Sequence, residues 1–184
     1  FSPFLYSSDC SDQDLTLIDY KKVDVDDIIQ TGREVWEIIA DNKPVVNTKH
    51  PVAHALPKGI PCWNDLQEWS LPSYEDYQVT YKNVLGMTVV DFRFRLIFTH
   101  GGNKKNIGAY LANVTVVPTD LDVIWGYTFN AHTSTGRAVN IGTSQDPIAG
   151  MEVHINWSAE TVLKHQQRRE TFFVQGDGQA QVLD

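Results

Sequence analysis

The sequence predicts a mainly β fold, an antiparallel β-sandwich or a strongly curved antiparallel sheet of about seven or eight strands. Two observations support this prediction. After Pro72, apolar and polar residues alternate along most of the chain, which is the period of strands with one packed and one solvated face. Before Pro72 one segment has a helical period instead, and it predicts a single N-terminal α-helix over residues 25–42, packed on the sheet.

The N-terminal part of the chain differs from the rest in composition and in period. Residues 1–14 are rich in Ser and Asp without periodicity, so we expect a loose arm, followed by a short strand at 15–20. The predicted helix has Asp24 as its N-cap and ends before Pro44, which cannot continue a helix. Its apolar face is formed by Val25, Ile28, Ile29, Trp36 and Ile39.

Residues 44–72 contain prolines at short intervals and are predicted to form a connector. Residues 73–184 are predicted to form an antiparallel β core, and the whole chain 1–184 is predicted to be a single domain. The segment Gly176-Asp177-Gly178 predicts a hairpin turn between the last two strands. The predicted strands of the core are Tyr74–Lys82, Met87–Thr99, Tyr110–Val117, Leu121–Ala131, Met151–Ala159, Thr171–Gln175 and Gln179–Leu183.

Composition limits the function classes. Apolar residues make up 42% of the 184 residues, which is enough for a packed core. The net charge of −8 is opposite to what binding to nucleic-acid phosphates requires, so no nucleic-acid partner is expected. No apolar run reaches the roughly 18–20 residues of a transmembrane helix, so no transmembrane segment is expected.

The two cysteines, Cys10 and Cys62, lie far apart and outside any C-x-x-C pattern, which argues against a zinc site or a thioredoxin-like pair. Two buried thiols in a cytosolic protein are one interpretation. The preferred interpretation is a disulfide between them in an exported protein, periplasmic or extracellular and soluble. Such a disulfide would connect the N-terminal arm to the connector.

No combination of residues predicts a catalytic site, a metal site or a cofactor. His50 and His54 have an i, i+4 spacing, but a proline lies between them and the zinc-protease pattern is absent. His132 and His154 lie on the polar faces of two predicted strands, where they meet only in one strand register. No G-x-S-x-G nucleophile motif occurs, so the chain is not expected to be an enzyme.

Three functions remain open. The preferred one is a non-catalytic exported domain that binds a protein or other partner. The alternative is a carrier of a small hydrophobic molecule in a cavity between sheet and helix, lined by Trp125, Tyr127 and Phe129. The third is a membrane-active toxin that forms a β-barrel and inserts a mobile hairpin from residues 131–145.

Overall fold

A computed structural model describes residues 23–46, 50–60 and 62–183. These residues are mainly β, and 68% of them lie in strands. The strands are β1 (Asp24–Gly32), β2 (Val35–Ala40), β3 (Lys43–Pro44), β4 (Ala53–Lys58), β5 (Ser73–Lys82), β6 (Thr88–Lys104), β7 (Ile107–Val123), β8 (Thr128–Thr135), β9 (Val139–Asn140), β10 (Ala149–Glu160), β11 (His165–Gln175) and β12 (Ala180–Leu183).

The strands form two antiparallel sheets. The first has five strands in the order β1-β4-β7-β6-β5. The second has seven strands, ordered β12-β11-β10-β8-β2-β3, with β9 paired to the beginning of β10. The predicted mainly β, antiparallel fold is therefore confirmed in outline, and the arrangement is consistent with a β-sandwich.

The predicted N-terminal helix at 25–42 is wrong, because this segment forms the strands β1 and β2. Gly32 ends β1 with a φ of +83°, and a Cβ atom there would lie 2.5 Å from the carbonyl oxygen of Val52. The β-branched residues Val35 and Ile38 favour an extended backbone. No α-helix occurs among the described residues, and no helix there is long and apolar enough to cross a membrane.

The predicted connector at 44–72 contains a strand that sequence analysis missed. The strand β4 lies between β1 and β7 in the first sheet, and five of its six residues are buried. Because it is covered on both faces, it lacks the alternation that identifies a half-buried strand. A short 3₁₀ turn at Trp63–Asp65 follows it.

The predicted strand Leu121–Ala131 is interrupted. The strand β7 ends at Val123 and β8 begins at Thr128, and the turn between them has Gly126 at a φ of +90°. At this turn the chain passes from the first sheet to the second. The predicted final hairpin is confirmed, because the amide of Gln175 donates to the carbonyl oxygen of Gln179 at 2.9 Å.

Aromatic side chains from both sheets pack against each other in the interior. The ring of Tyr77 on β5 lies 4.4 Å from that of Phe172 on β11, measured between ring centroids. On β6, Phe92 lies 5.3 Å from Phe129 of β8. Phe129 in turn lies 5.8 Å from Trp157 of β10. These contacts join the inner faces of the two sheets into one core.

Candidate functional site: a polar cleft on the second sheet

The strand β10 has two chemically distinct faces. Alternate residues such as Val153 and Ile155 are fully buried against the first sheet, whereas His154 and Asn156 lie on the opposite, outer face. Residues that are paired in register on neighbouring strands share a face. One row of paired residues on the outer face of β2, β8, β10 and β11 is Glu37, His132, Asn156 and Arg169. The adjacent row is Asn130, Ser158 and Gln167.

These two rows line an open cleft with a volume of about 490 Å³. This volume lies within the roughly 300–1,000 Å³ that is usual for small-molecule sites. All seven residues of the two rows contribute to the lining. The intervening row of the same four strands also contributes to it, with Ile39, Ala131, Trp157 and Arg168. The cleft therefore collects amide, hydroxyl, imidazole, carboxylate and guanidinium groups from four strands.

Hydrogen bonds between neighbouring strands hold the polar groups of the cleft in place. The Nε of Arg169 donates to the side-chain oxygen of Asn156 at 2.7 Å. The side-chain nitrogen of Asn156 then donates to the hydroxyl of Ser134 at 3.1 Å. This chain spans three strands, so the guanidinium group is oriented before any ligand arrives. A preorganised donor group loses less conformational entropy on binding.

His154 lies beside the cleft, on the outer face of β10. Its Nδ1 is 3.1 Å from the hydroxyl of Thr171, and its Nε2 is 3.3 Å from a carboxylate oxygen of Glu152. Burial lowers the pKa of His154, and the positive charge of Arg169 lowers it further, whereas Glu152 opposes the shift. The lowered pKa favours the neutral imidazole, which shares a hydrogen bond with Thr171 on the neighbouring strand.

The structure places the three predicted ligand-binding residues in three different environments. Trp125 lies in the turn between β7 and β8 and is 96% exposed. Tyr127 is partly buried against the core, and Phe129 is fully buried in the interior. They do not share one surface, because the turn breaks the strand that the sequence predicted as continuous. Their ligand-binding role remains a prediction.

The predicted disulfide involves Cys10, which lies outside the described residues. Its predicted partner, Cys62, is buried directly before the 3₁₀ turn at Trp63–Asp65. The pairing of the two cysteines, and the export that we inferred from it, therefore remain predictions.

The histidines considered as metal ligands are not paired with each other. His132 lies opposite Asn156, and His154 lies opposite Ser134, one row further along the sheet. Within 23–46, 50–60 and 62–183, no group of three or more His, Cys, Asp or Glu residues is placed to hold a metal ion.

Sequence analysis did not identify the cleft. Alternation along β8 and β10 does place His132, Asn156 and Ser158 on polar faces. The missing information was the register, which decides that Arg169 of β11 and Glu37 of β2 lie in the same row. Glu37 was further hidden because its segment was predicted to be helical.

Comparisons with protein-family models, with curated proteins and with solved structures find no match for this chain.

Proposed function

We propose that this protein is a non-catalytic binding domain whose polar cleft takes a hydroxyl-rich ligand, a mono- or disaccharide or the end of a longer glycan. The observation that supports it is the cleft itself. Seven polar side chains from four neighbouring strands line a volume of about 490 Å³ on the outer face of the second sheet.

The chemistry of the lining suits hydroxyl groups. A hydroxyl both donates and accepts hydrogen bonds, and the side-chain amide of Gln167 offers a donor and an acceptor side by side. The amides of Asn130 and Asn156 hold bonds within the protein, and each keeps at least one amide hydrogen and one oxygen lone pair for a ligand. The guanidinium group of Arg169 adds further donors in a planar arrangement. The hydroxyl groups of a sugar would satisfy these donors and acceptors together.

The charges around the cleft nearly balance. Arg169 at one side of the outer face carries a positive charge, and Glu37 at the opposite side carries a negative charge. A strongly charged ligand would gain little from such a lining, since attraction to one group is offset by repulsion from another. This balance favours an uncharged, hydrogen-bonding ligand.

The interactions of His154 support a binding role without catalysis. A general base needs a ring nitrogen that is free to take a proton from the substrate. In His154 the Nδ1 atom shares a hydrogen bond with the hydroxyl of Thr171, and the Nε2 atom lies 3.3 Å from a carboxylate oxygen of Glu152. The imidazole thus holds neighbouring strands together beside the cleft.

The other two functions receive less support. The carrier hypothesis needs a cavity between a sheet and a helix, but residues 25–42 form strands and aromatic rings pack together between the sheets. The toxin hypothesis needs residues 131–145 to be mobile. In this stretch β9 pairs with β10, and the side-chain oxygen of Asn140 accepts from the amides of Gly142 and Ile148.

Isothermal titration calorimetry with a defined sugar panel tests the proposal. The panel contains glucose, galactose, mannose, N-acetylglucosamine, the β-linked disaccharides of glucose and N-acetylglucosamine, and glucuronate. We expect at least one sugar to bind, and Arg169→Gln to weaken that binding about tenfold or more, because a charged donor in the cleft is lost.

The matched control is Arg93→Gln. Arg93 is an exposed arginine on β6 of the first sheet, far from the cleft lining, so its replacement should leave sugar affinity unchanged. Absence of binding to every sugar of the panel would contradict the proposal. So would a binding sugar whose affinity falls equally in both variants.

A further inference from the structure

Three turns of the protein have large apolar side chains exposed at their tips. Val84 and Leu85, in the turn between β5 and β6, are each 85% exposed. Trp125, in the turn between β7 and β8, is 96% exposed. Val162 is fully exposed and Leu163 is 94% exposed in the turn between β10 and β11. Single exposed apolar residues are common on protein surfaces, but such turns grouped in space indicate an interaction site.

Strand pairing places the three turns at one end of the molecule. Near the beginning of β6 and the end of β7, Val90 pairs with Val123, so the first two turns are neighbours in the first sheet. In the second sheet Thr128, which begins β8, pairs with Glu160, which ends β10. The turn at 124–127 joins the end of β7 directly to the beginning of β8. All three tips therefore project from the same end.

We propose that this end of the protein docks on a zwitterionic lipid bilayer, with the three apolar tips inserted into the interfacial region. Valine, leucine and tryptophan are residue types typical of surfaces that enter this region. Insertion of turn tips needs no transmembrane segment, because only side chains at one end of the domain leave the water.

The backbone of these turns is suited to a less polar environment. A peptide N–H that enters the interface without a hydrogen-bond partner is costly. The side-chain oxygen of Asn83 accepts from the amide of Leu85 at 3.0 Å. The hydroxyl of Thr161 lies within hydrogen-bond distance of the amides of Leu163 and Lys164, at 3.3 Å and 3.0 Å. In two of the turns, a polar side chain at the base therefore accepts hydrogen bonds from backbone N–H groups at or beside the apolar tip.

Charge indicates which kind of bilayer is bound. Lys82 and Lys164 lie beside two of the tips, where their long side chains can reach lipid phosphates while the tips insert. Asp122 and Glu160 lie about as close to the tips, so the four charges cancel at this end. The protein as a whole carries a net charge of −8 and is repelled by a strongly anionic surface. A bilayer of phosphatidylcholine offers phosphates without net charge, so it matches both features.

A lipid surface fits this end better than a protein partner does. A standard protein interface uses roughly 20–30 residues on each side, in one continuous patch with a packed centre. Here the apolar contacts come from the tips of three separate turns, and each tip offers one or two large side chains. Separate projecting tips are suited to a fluid surface that closes around each of them.

Co-sedimentation of the full chain with phosphatidylcholine vesicles tests the proposal. We expect the unmodified protein to bind. The triple variant Leu85→Ser/Trp125→Ser/Leu163→Ser should have a partition coefficient that is reduced about tenfold or more, because three inserted side chains are lost. The single variant Trp125→Ser should show a smaller loss in the same direction. Circular dichroism verifies that both variants remain folded.

Leu71→Ser is the matched control. Leu71 is 81% exposed, but it precedes β5 and so lies at the opposite end of that strand from the Val84 turn. Its replacement should leave vesicle binding unchanged.

Three outcomes would overturn the proposal. The first is that the unmodified protein does not bind phosphatidylcholine vesicles. The second is that binding appears only when anionic lipid is added, which would contradict the inferred headgroup. The third combines two results: ultracentrifugation shows that the unmodified protein is a dimer and the triple variant a monomer, and the two proteins bind vesicles equally. The tips would then contact a second copy of the protein and not the bilayer.

Discussion

The inner and outer faces of the second sheet share one backbone but differ in what their side chains do. On the inner face, Ile155 is fully buried, and it gains free energy from being removed from water. On the outer face, the side chain of the neighbouring residue Asn156 is hydrogen-bonded to Arg169 and Ser134. The inner face accounts for stability through buried area. The outer face offers oriented polar groups to a ligand, so the two faces should respond differently to substitution.

The largest expected effect is on the inner face, at Phe129. Its ring is fully buried and contacts Phe92 and Trp157. We expect Phe129→Ala to lower the free energy of unfolding by about 3–5 kcal/mol, because a large buried side chain is replaced by a cavity. Urea denaturation monitored by tryptophan fluorescence measures this. The adjacent outer-face variant Asn130→Ala should cost about 1 kcal/mol or less, and equal losses would contradict the distinction between the faces.

The next effect concerns a histidine buried in the first sheet. His54 on β4 is 1% exposed, and its Nδ1 accepts from the backbone amide of Asn113 at 3.0 Å. Burial lowers the pKa of His54 to about 4. Between pH 6.5 and 4 the unfolded chain therefore binds more protons at this residue than the folded chain. The free energy of unfolding should fall by about 3 kcal/mol as the pH decreases through this range.

Urea denaturation at several pH values between 7 and 4 measures this dependence, and His54→Gln should remove most of it. His154→Gln is the outer-face comparison. The pKa of His154 is also lowered by burial, but its side chain remains 15% exposed, so its contribution should have the same sign and be smaller. A His54→Gln protein with an unchanged pH dependence would show that the buried imidazole is not its source.

The smallest effect on stability is expected for Asn156→Ala on the outer face. This change removes the hydrogen bonds to Arg169 and Ser134 at a partly exposed position. We expect a loss of about 1 kcal/mol or less in the free energy of unfolding, since water replaces the lost partners. Thermal denaturation measures it, with Ile155→Ala as the inner-face neighbour, for which a loss of about 2–5 kcal/mol is expected. If both variants lost a similar amount of unfolding free energy, Asn156 would contribute to stability as much as a core residue does.

Alternation predicted the faces of the strands well where one side of the strand meets solvent. The predicted strand Met151–Ala159 lies within β10, and its predicted apolar residues are the buried ones. Alternation did not identify strands that lack a solvent-exposed face. The strand β4 is buried on both faces and was missed. In the segment 25–42, the apolar residues of the two strands β1 and β2 happen to have the spacing of a helix face. Their strand structure is defined by pairing with β4 and β8.

The candidate site could be predicted only in part. Polar positions such as His132 and Asn156 follow from the period along each strand. Their assembly into one cleft with Arg169 does not, because a register shift of one residue would move every side chain of a strand to the other face. The exposure of Trp125 likewise depended on the turn at Gly126, where the chain changes sheets.

The mainly antiparallel β fold follows from local pattern alone, because each strand with one packed face shows a period of two along its own residues. The same pattern separates the apolar residues of those strands from the polar ones. The strand order, the rows of the cleft and the end at which the three apolar turns meet are properties of the folded chain. These depend on contacts between residues far apart in the chain, and no local pattern specifies which distant strand becomes a neighbour.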